Sequence, residues 1–188
     1  MKNKKEDLRI IKTKEAIYKT FKEMVCEMDY SELSIKELTY RAKINRKTFY
    51  LHYKSIDDLF KELQNEIIKD FISQDISYKK RKDIERIIKY FYKYTENISE
   101  FNERLLGKGS YSHIGDNINE QIMKHMEKTN KGAFSKNELE DNLVFAYFSA
   151  ITTILYRQWL KDKKKMPIDK LISTATNLIC HGMFYYIK

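Results

Sequence analysis

Six side chains within 17 residues, Lys36, Arg46, Lys47, Thr48, Tyr50 and His52, carry donors suited to a polyanionic partner. An Arg or Lys at the start of a recognition helix can donate to guanine O6 and N7, whereas Ser, Thr, Tyr and His side chains typically hold phosphates and fix register. On that chemistry Arg46 and Lys47 are the candidates for reading bases. Taken alone, the same set is also what a solvated basic helix face presents, so the elements that carry it matter.

Ser34-Ile35-Lys36-Glu37 has the Ser-x-x-Glu form of a capping box and opens a short helix with Ile35, Leu38 and Ala42 inward. Asn45 is a good N-cap for a second short helix, Arg46 to about Tyr53, whose Phe49 and Tyr53 sit four apart on one face. Lys43-Ile44-Asn45 joins the two. Ahead of them, Ile10, Ile17, Phe21, Met24, Val25 and Met28 recur at helical spacing over about 5–28, and Asp29-Tyr30-Ser31 has turn composition. Two short helices supported by a longer first one form the arrangement in which a second helix enters a major groove. Ile35, Leu38, Ala42, Ile44 and Phe49 supply its small core and leave the six polar residues outward.

Ser55 with Asp57 and Asp58 opens a fourth, long helix with Leu59, Phe60, Leu63, Ile67 and Phe71 inward, its acids placed at the positive helix end. The helical period continues through Ile84, Ile87, Ile88, Phe91 and Ile98, breaks at Gly107-Lys108-Gly109-Ser110, and resumes with Ile118, Ile122 and Met126 until Gly132. Ser135-Lys136-Asn137-Glu138 reads as a second capping box. It introduces the longest apolar pattern: Leu143, Val144, Tyr147, Phe148, Ile151, Ile154, Leu155 and Trp159. Pro167 begins a last helix with Leu171, Ala175, Leu178 and Gly182 on one face. The expected fold is all-α, about nine helices, divided into residues 1–54 and 55–188.

One proline and five glycines offer too little punctuation for a many-stranded β fold. The net charge is +9, of which residues 1–54 hold +6, so the positive charge gathers at the front and points to nucleic acid or a membrane surface. The N-terminal apolar residues are interrupted by Arg9 and Lys12, and no run approaches the roughly 20 residues of a membrane span, which predicts a soluble, cytoplasmic protein. Cys26 and Cys180 lie far apart without metal-ligand spacing and read as reduced thiols.

The segment Ser34-Ile35-Lys36-Glu37-Leu38, then Ala42-Lys43-Ile44-Asn45-Arg46-Lys47-Thr48-Phe49-Tyr50-Leu51-His52-Tyr53-Lys54 and Leu59, resembles the DNA-binding region of the tetracycline-repressor (TetR/AcrR) family over about 45 residues. The resemblance implies base reading by Lys36, Arg46 and Lys47, and phosphate contacts from Ser34, Tyr50 and His52. Lys43 stands at a turn position that is usually glycine, which would demand a strained backbone. Ile56 stands where a lysine commonly reaches the phosphate backbone, a loss for which Lys54 or the basic Lys2, Lys4 and Lys5 would compensate.

By the same resemblance the chain pairs with a second copy through its last two helices, where the apolar surface of residues 139–159, with Ala175 and Gly182 permitting close approach, suits a two-fold interface. A plain intrachain core would show the same pattern. The implied function is a repressor released from an inverted-repeat operator by a small molecule held in the C-terminal part. Tyr90, Tyr94, Tyr111, His113, His125 and Tyr147 are its candidate binding residues, though 14 tyrosines supply such candidates by chance.

No Gly-rich phosphate loop, paired His/Cys metal spacing or nucleophile elbow is present, so no catalytic residue, metal or cofactor is expected. Cys180 and His181 are adjacent on a helix and point in different directions. The rival reading is a co-regulator of the same fold that contacts another protein and binds DNA weakly, which Lys43 and Ile56 motivate and Arg46, Lys47, Tyr50 and His52 oppose.

Overall fold

Nine α-helices follow one another without a strand among the residues that the computed structural model describes, 2–73, 81–132 and 134–183. They are α1 (Lys2–Glu27), α2 (Ile35–Arg41), α3 (Arg46–Tyr50), α4 (Ile56–Ile72), α5 (Arg81–Glu96), α6 (Glu100–Leu106), α7 (Ser112–Thr129), α8 (Glu138–Lys161) and α9 (Ile168–His181). A single 3-10 turn, Tyr30–Glu32, links α1 to α2. The all-α expectation therefore holds.

Several boundaries differ from the sequence reading, each for a local reason. Helix α3 stops at Tyr50 rather than Tyr53, because the His52 and Tyr53 amides both return to the Phe49 carbonyl and the Ser55 hydroxyl caps α4 by accepting from Asp58 N. Ser34 does cap α2, accepting from Glu37 N, but Glu37 turns away to the guanidinium of Arg41. Helix α8 is capped by Asn137, not Ser135; the Ser135 hydroxyl accepts from Asn137 N and donates to Glu140. Ser99, whose hydroxyl accepts from Asn102 N, starts the separate helix α6.

Two apolar cores organise the chain. In the first, Ile17, Phe21, Met24 and Val25 of α1 meet Leu38, Phe49, Tyr53, and Leu59, Phe60 and Leu63 of α4. Phe101 and Leu105 of α6 and Tyr111, Ile114 and Ile118 from the α7 region complete it. Phe21 packs edge-on against Phe60 with ring centroids 4.7 Å apart. In the second, Ile87, Ile88 and Tyr92 of α5 meet Met123 and Met126, Phe145, Phe148, Tyr156 and Trp159 of α8, and Leu171 and Ala175 of α9. Each such buried side chain contributes about 1.5–3 kcal/mol by leaving water. Helix α4 begins in the first core, and its last residue, Ile72, packs against the second, so it is the beam between them.

The α8 apolar pattern splits in two. Phe145, Phe148, Tyr156 and Trp159 go inward, whereas Leu139 (75% exposed), Leu143 (70%), Val144, Tyr147 and Ile154 (59%) form an outward stripe. Ala175 is fully buried within the chain, and Gly182 lies beyond α9 with a left-handed φ of +70°. Neither provides the close-approach surface that their small size suggested; the outward face belongs to α8.

Candidate nucleic-acid interface and interior cavity

The turn between α2 and α3 is a Schellman motif. Lys43 N donates to Tyr40 O (3.2 Å) and Ile44 N to Thr39 O (3.0 Å), with Lys43 itself at φ +53° and the apolar Ile44 tucked against the first core. The left-handed residue is the one the sequence marked as a departure. Lysine carries a Cβ penalty there that glycine avoids. Asn45 Oδ1 then accepts from Lys47 N (2.9 Å) and launches α3. Phe49 is fully buried against α1 and α4, and this anchors α3 and decides which residues face out.

Lys36, Arg46, Lys47 and Lys54 are exposed, as is Tyr50 at 57%, while Thr48 and His52 are half-buried. Ser34 is exposed, and its hydroxyl hydrogen remains available after the oxygen caps α2. Arg41, by contrast, is committed to Glu27 and Glu37, which holds its guanidinium charge locally. Ile56 is half-buried in the first core, so it serves packing where a phosphate-reaching lysine would stand in the water. Lys54 is exposed beside it with its amide bonded to Asp58 (3.1 Å). The side chains of Lys2, Lys4 and Lys5 lie outside the described ones. Tyr40, 80% exposed on α2, is a surface aromatic that the sequence reading passed over.

Helix α6 and the start of α7 grip this head from behind. Arg104 Nε donates to Val25 O (2.6 Å) and its Nη2 to Met28 O (3.1 Å), while the Tyr111 hydroxyl also donates to Met28 O (2.9 Å). Ser110 Oγ accepts from Tyr30 N (3.1 Å) and donates to Asp29 (2.9 Å). The carbonyls concerned end α1 and lack helical partners of their own. Tyr30 donates to Asp57, and that bond, together with burial, pushes its hydroxyl pKa up to about 12.

Between α4, α5, α7 and α8 lies a cavity lined by Ile67, Phe71, Phe91, Tyr94, Ile118, Met123, Phe148, Thr152 and Tyr156, with Leu106, Gly115 and Arg157 at its border. The space open to the centre of a water-sized sphere is about 50 Å³, enough for roughly three to five waters at about 10–15 Å³ each. It is a slot, not an open chamber.

Of the six residues proposed from sequence for a small molecule, Tyr94 borders this slot; its hydroxyl donates to Asp70 (2.9 Å). Tyr90 donates to Phe71 O, Tyr111 serves the α1 grip, His113 packs edge-on against Tyr30 at 4.7 Å, His125 is exposed, and Tyr147 bonds to Leu178 O on the outer side of α8. Those five are not among the lining residues. The sequence reading missed Asn119, Ser149, Thr152, Tyr156 and Arg157; their signal was the polar interruption of the apolar stripes on α7 and α8.

Among the described residues no group of three or more His, Cys, Asp or Glu is placed to hold a metal, and no helix is long and apolar enough to cross a membrane. Cys26 and Cys180 are not joined by a disulfide.

A capped helix pair with a basic outer face, packed on a two-core helical body, defines a helix-turn-helix of the kind that binds DNA. Residues 22–63, under a quarter of the chain, match the family model described as "Bacterial regulatory proteins, tetR family". The chain is 35% identical over 63 residues to the HTH-type transcriptional regulator YxbF of Bacillus subtilis strain 168. That segment is 33% of this chain and spans only 17% of the relative's length. Two solved structures share the fold. One is a TetR transcriptional regulator from Streptococcus agalactiae 2603V, with a TM-score of 0.70 and 21% identity over 93% of this chain and 97% of the other. The other is the transcriptional regulator FadR from Bacillus subtilis in complex with stearoyl-CoA, with a TM-score of 0.56 and 16% identity over 89% and 98%.

Proposed function

We propose that this protein is a homodimeric repressor that binds an inverted-repeat operator in double-stranded DNA and is released by a small, largely apolar effector. The observation that carries the reading is the exposed set Lys36, Arg46 and Lys47 on a helix pair held rigid by Phe49 and two caps. In this reading Lys36, Arg46 and Lys47 contact base edges, while Ser34, Thr48, Tyr50, His52 and Lys54 hold phosphates. Residues 1–54 act as the reading head and residues 55–188 as the effector and dimer part, with α4 as the beam.

The outward stripe of α8, together with α9, pairs with its symmetry copy, and dimerisation sets the two heads about 34–36 Å apart. The bound stearoyl-CoA of FadR supports an effector with an apolar chain, and in this reading the slot between α4, α5, α7 and α8 widens to take that chain. An effector that opens the slot moves Leu106 and Gly115, and through Arg104 and Tyr111 on the same two elements it shifts the end of α1. The protein acts in the cytoplasm, where its DNA is.

Footprinting on the DNA upstream of its own gene tests the proposal. The expected result is a protected inverted repeat whose half-site centres lie one helical turn apart, or a whole multiple of it. Protection that follows no sequence, with a steep salt dependence, would favour the co-regulator or a general basic protein.

A further inference from the structure

We propose that the Tyr156 hydroxyl is the group in the slot that recognises the effector, and that the effector is a neutral aliphatic ester or thioester whose carbonyl oxygen accepts from it. This rests on the effector reading of the slot and narrows it to a ligand class and a residue.

Tyr156 is 1% exposed, lines the slot, and its hydroxyl has no hydrogen-bond partner among the described residues. A buried donor left alone forfeits its hydration without return, so native structures rarely keep one for nothing. Four other hydroxyls around the slot are served within the chain. Tyr92 donates to Thr152 O (3.1 Å), Thr152 to Phe148 O (2.6 Å), Thr95 to Tyr92 O (3.1 Å) and Tyr94 to Asp70. The buried hydroxyls of Tyr18 and Tyr53 differ in having the Lys14–Glu62 pair as their electrostatic neighbours. Tyr156 instead sits between the rings of Phe91 and Trp159, at 6.0 and 6.2 Å. Burial, with the Glu103 carboxylate in its field, keeps its hydroxyl protonated and therefore a donor.

Shape and charge choose the rest of the ligand. The lining runs from Ile87 to Thr95 on α5, Gly115 to Met126 on α7 and Phe148 to Arg157 on α8, stretches of roughly 12–17 Å at 1.5 Å per residue. An extended medium-length chain matches those spans, and it enters by widening a space that now has room for a few waters. Among the described lining residues Arg157 is the cation, and it is committed: Nε donates to Leu106 O (3.1 Å) and Nη2 to Asp116 (2.6 Å). A free carboxylate buried beside Tyr156 would lack a counter-charge, which disfavours it strongly against a neutral carbonyl.

The test uses the full chain and its single tryptophan, Trp159, as reporter of the adjacent ring. Methyl dodecanoate is expected to change its emission saturably, and sodium dodecanoate to bind at least about tenfold more weakly. Tyr156→Phe should weaken the ester about five- to tenfold, the loss of one hydrogen bond. The same variant without ligand should melt about 2–4 °C higher, since an unsatisfied hydroxyl has gone. Absence of saturable ester binding, equal ester affinity in Tyr156→Phe, or tighter binding of the carboxylate would each overturn the inference. If the ester releases operator DNA equally from wild type and Tyr156→Phe, the effector reading stands and the role of Tyr156 falls. If wild type binds the ester yet its DNA affinity does not respond, the effector reading is what fails.

Discussion

Replacing Arg104 by Met removes the grip of α6 on the reading head while keeping the bulk of the side chain. Two carbonyls at the end of α1, Val25 O at 2.6 Å and Met28 O at 3.1 Å, lose a charged donor, and the Asp29 carboxylate loses a cation 3.7 Å away. Hydrogen bonds to charged groups contribute about 1.5–3 kcal/mol each when buried. The Arg104 side chain is 37% exposed, so water takes over part of the role and about 1 kcal/mol per bond is the sounder figure. The total of about 2 kcal/mol corresponds to a melting point lower by about 4–8 °C for a chain of this size. Far-ultraviolet circular dichroism on wild type and Arg104→Met measures it. Hydrogen exchange should rise over residues 22–32 and 100–112 while α9 is unchanged. A melting point within about 1 °C of wild type would mean that the grip carries no strain between slot and head, and the proposed route of effector action would fall with it.

Further outcomes follow from single features. Lys43→Gly relieves the left-handed φ of +53° and should stabilise the protein by about 1 kcal/mol, raising the melting point by about 2–4 °C. Leu143→Lys with Ile154→Lys charges the outward stripe of α8 and should give a monomeric mass in sedimentation at micromolar concentration, where wild type gives a dimer. Asp141 accepts from the amides of Gly132, Phe134 and Ser135 at 2.8, 3.0 and 3.2 Å. Burial pushes its carboxyl up, but those three bonds win and hold it below the usual 3.8. A depressed carboxylate stabilises the fold above its unfolded pKa and ceases to do so as pH falls through its folded one. Asp141→Asn should therefore melt lower than wild type at neutral pH, with the gap closing as pH drops below about 4.

The reading head was legible because its determinants are local. Ser34, Asn45 and Ser55 cap helices within three residues of themselves, and Phe49 and Tyr53 declare one buried face. Lys43 too was visible as the misfit at a position whose geometry calls for glycine. The end of α3 was not, since Leu51 continues the apolar pattern yet is 81% exposed. The slot was barely legible at all. Tyr111 looked like a ligand contact but is claimed by Met28 O, 83 residues away in sequence. Tyr156 was absent from the apolar positions read along α8, yet it is core, with a hydroxyl that has no hydrogen-bond partner among the described residues. Such assignments depend on which helices meet, and that information is spread along the chain rather than held in any window.

Sequence reading is proposed for the exposed basic residues of α2 and α3. Its most direct test is the ratio of affinities for the protein's own upstream DNA and for a scrambled duplex, measured over a salt series for wild type and for Arg46→Ala with Lys47→Ala. With about 1–3 kcal/mol of discrimination per base-reading side chain, the ratio should collapse by at least about tenfold in the double variant. A double variant that kept the wild-type ratio would contradict the account.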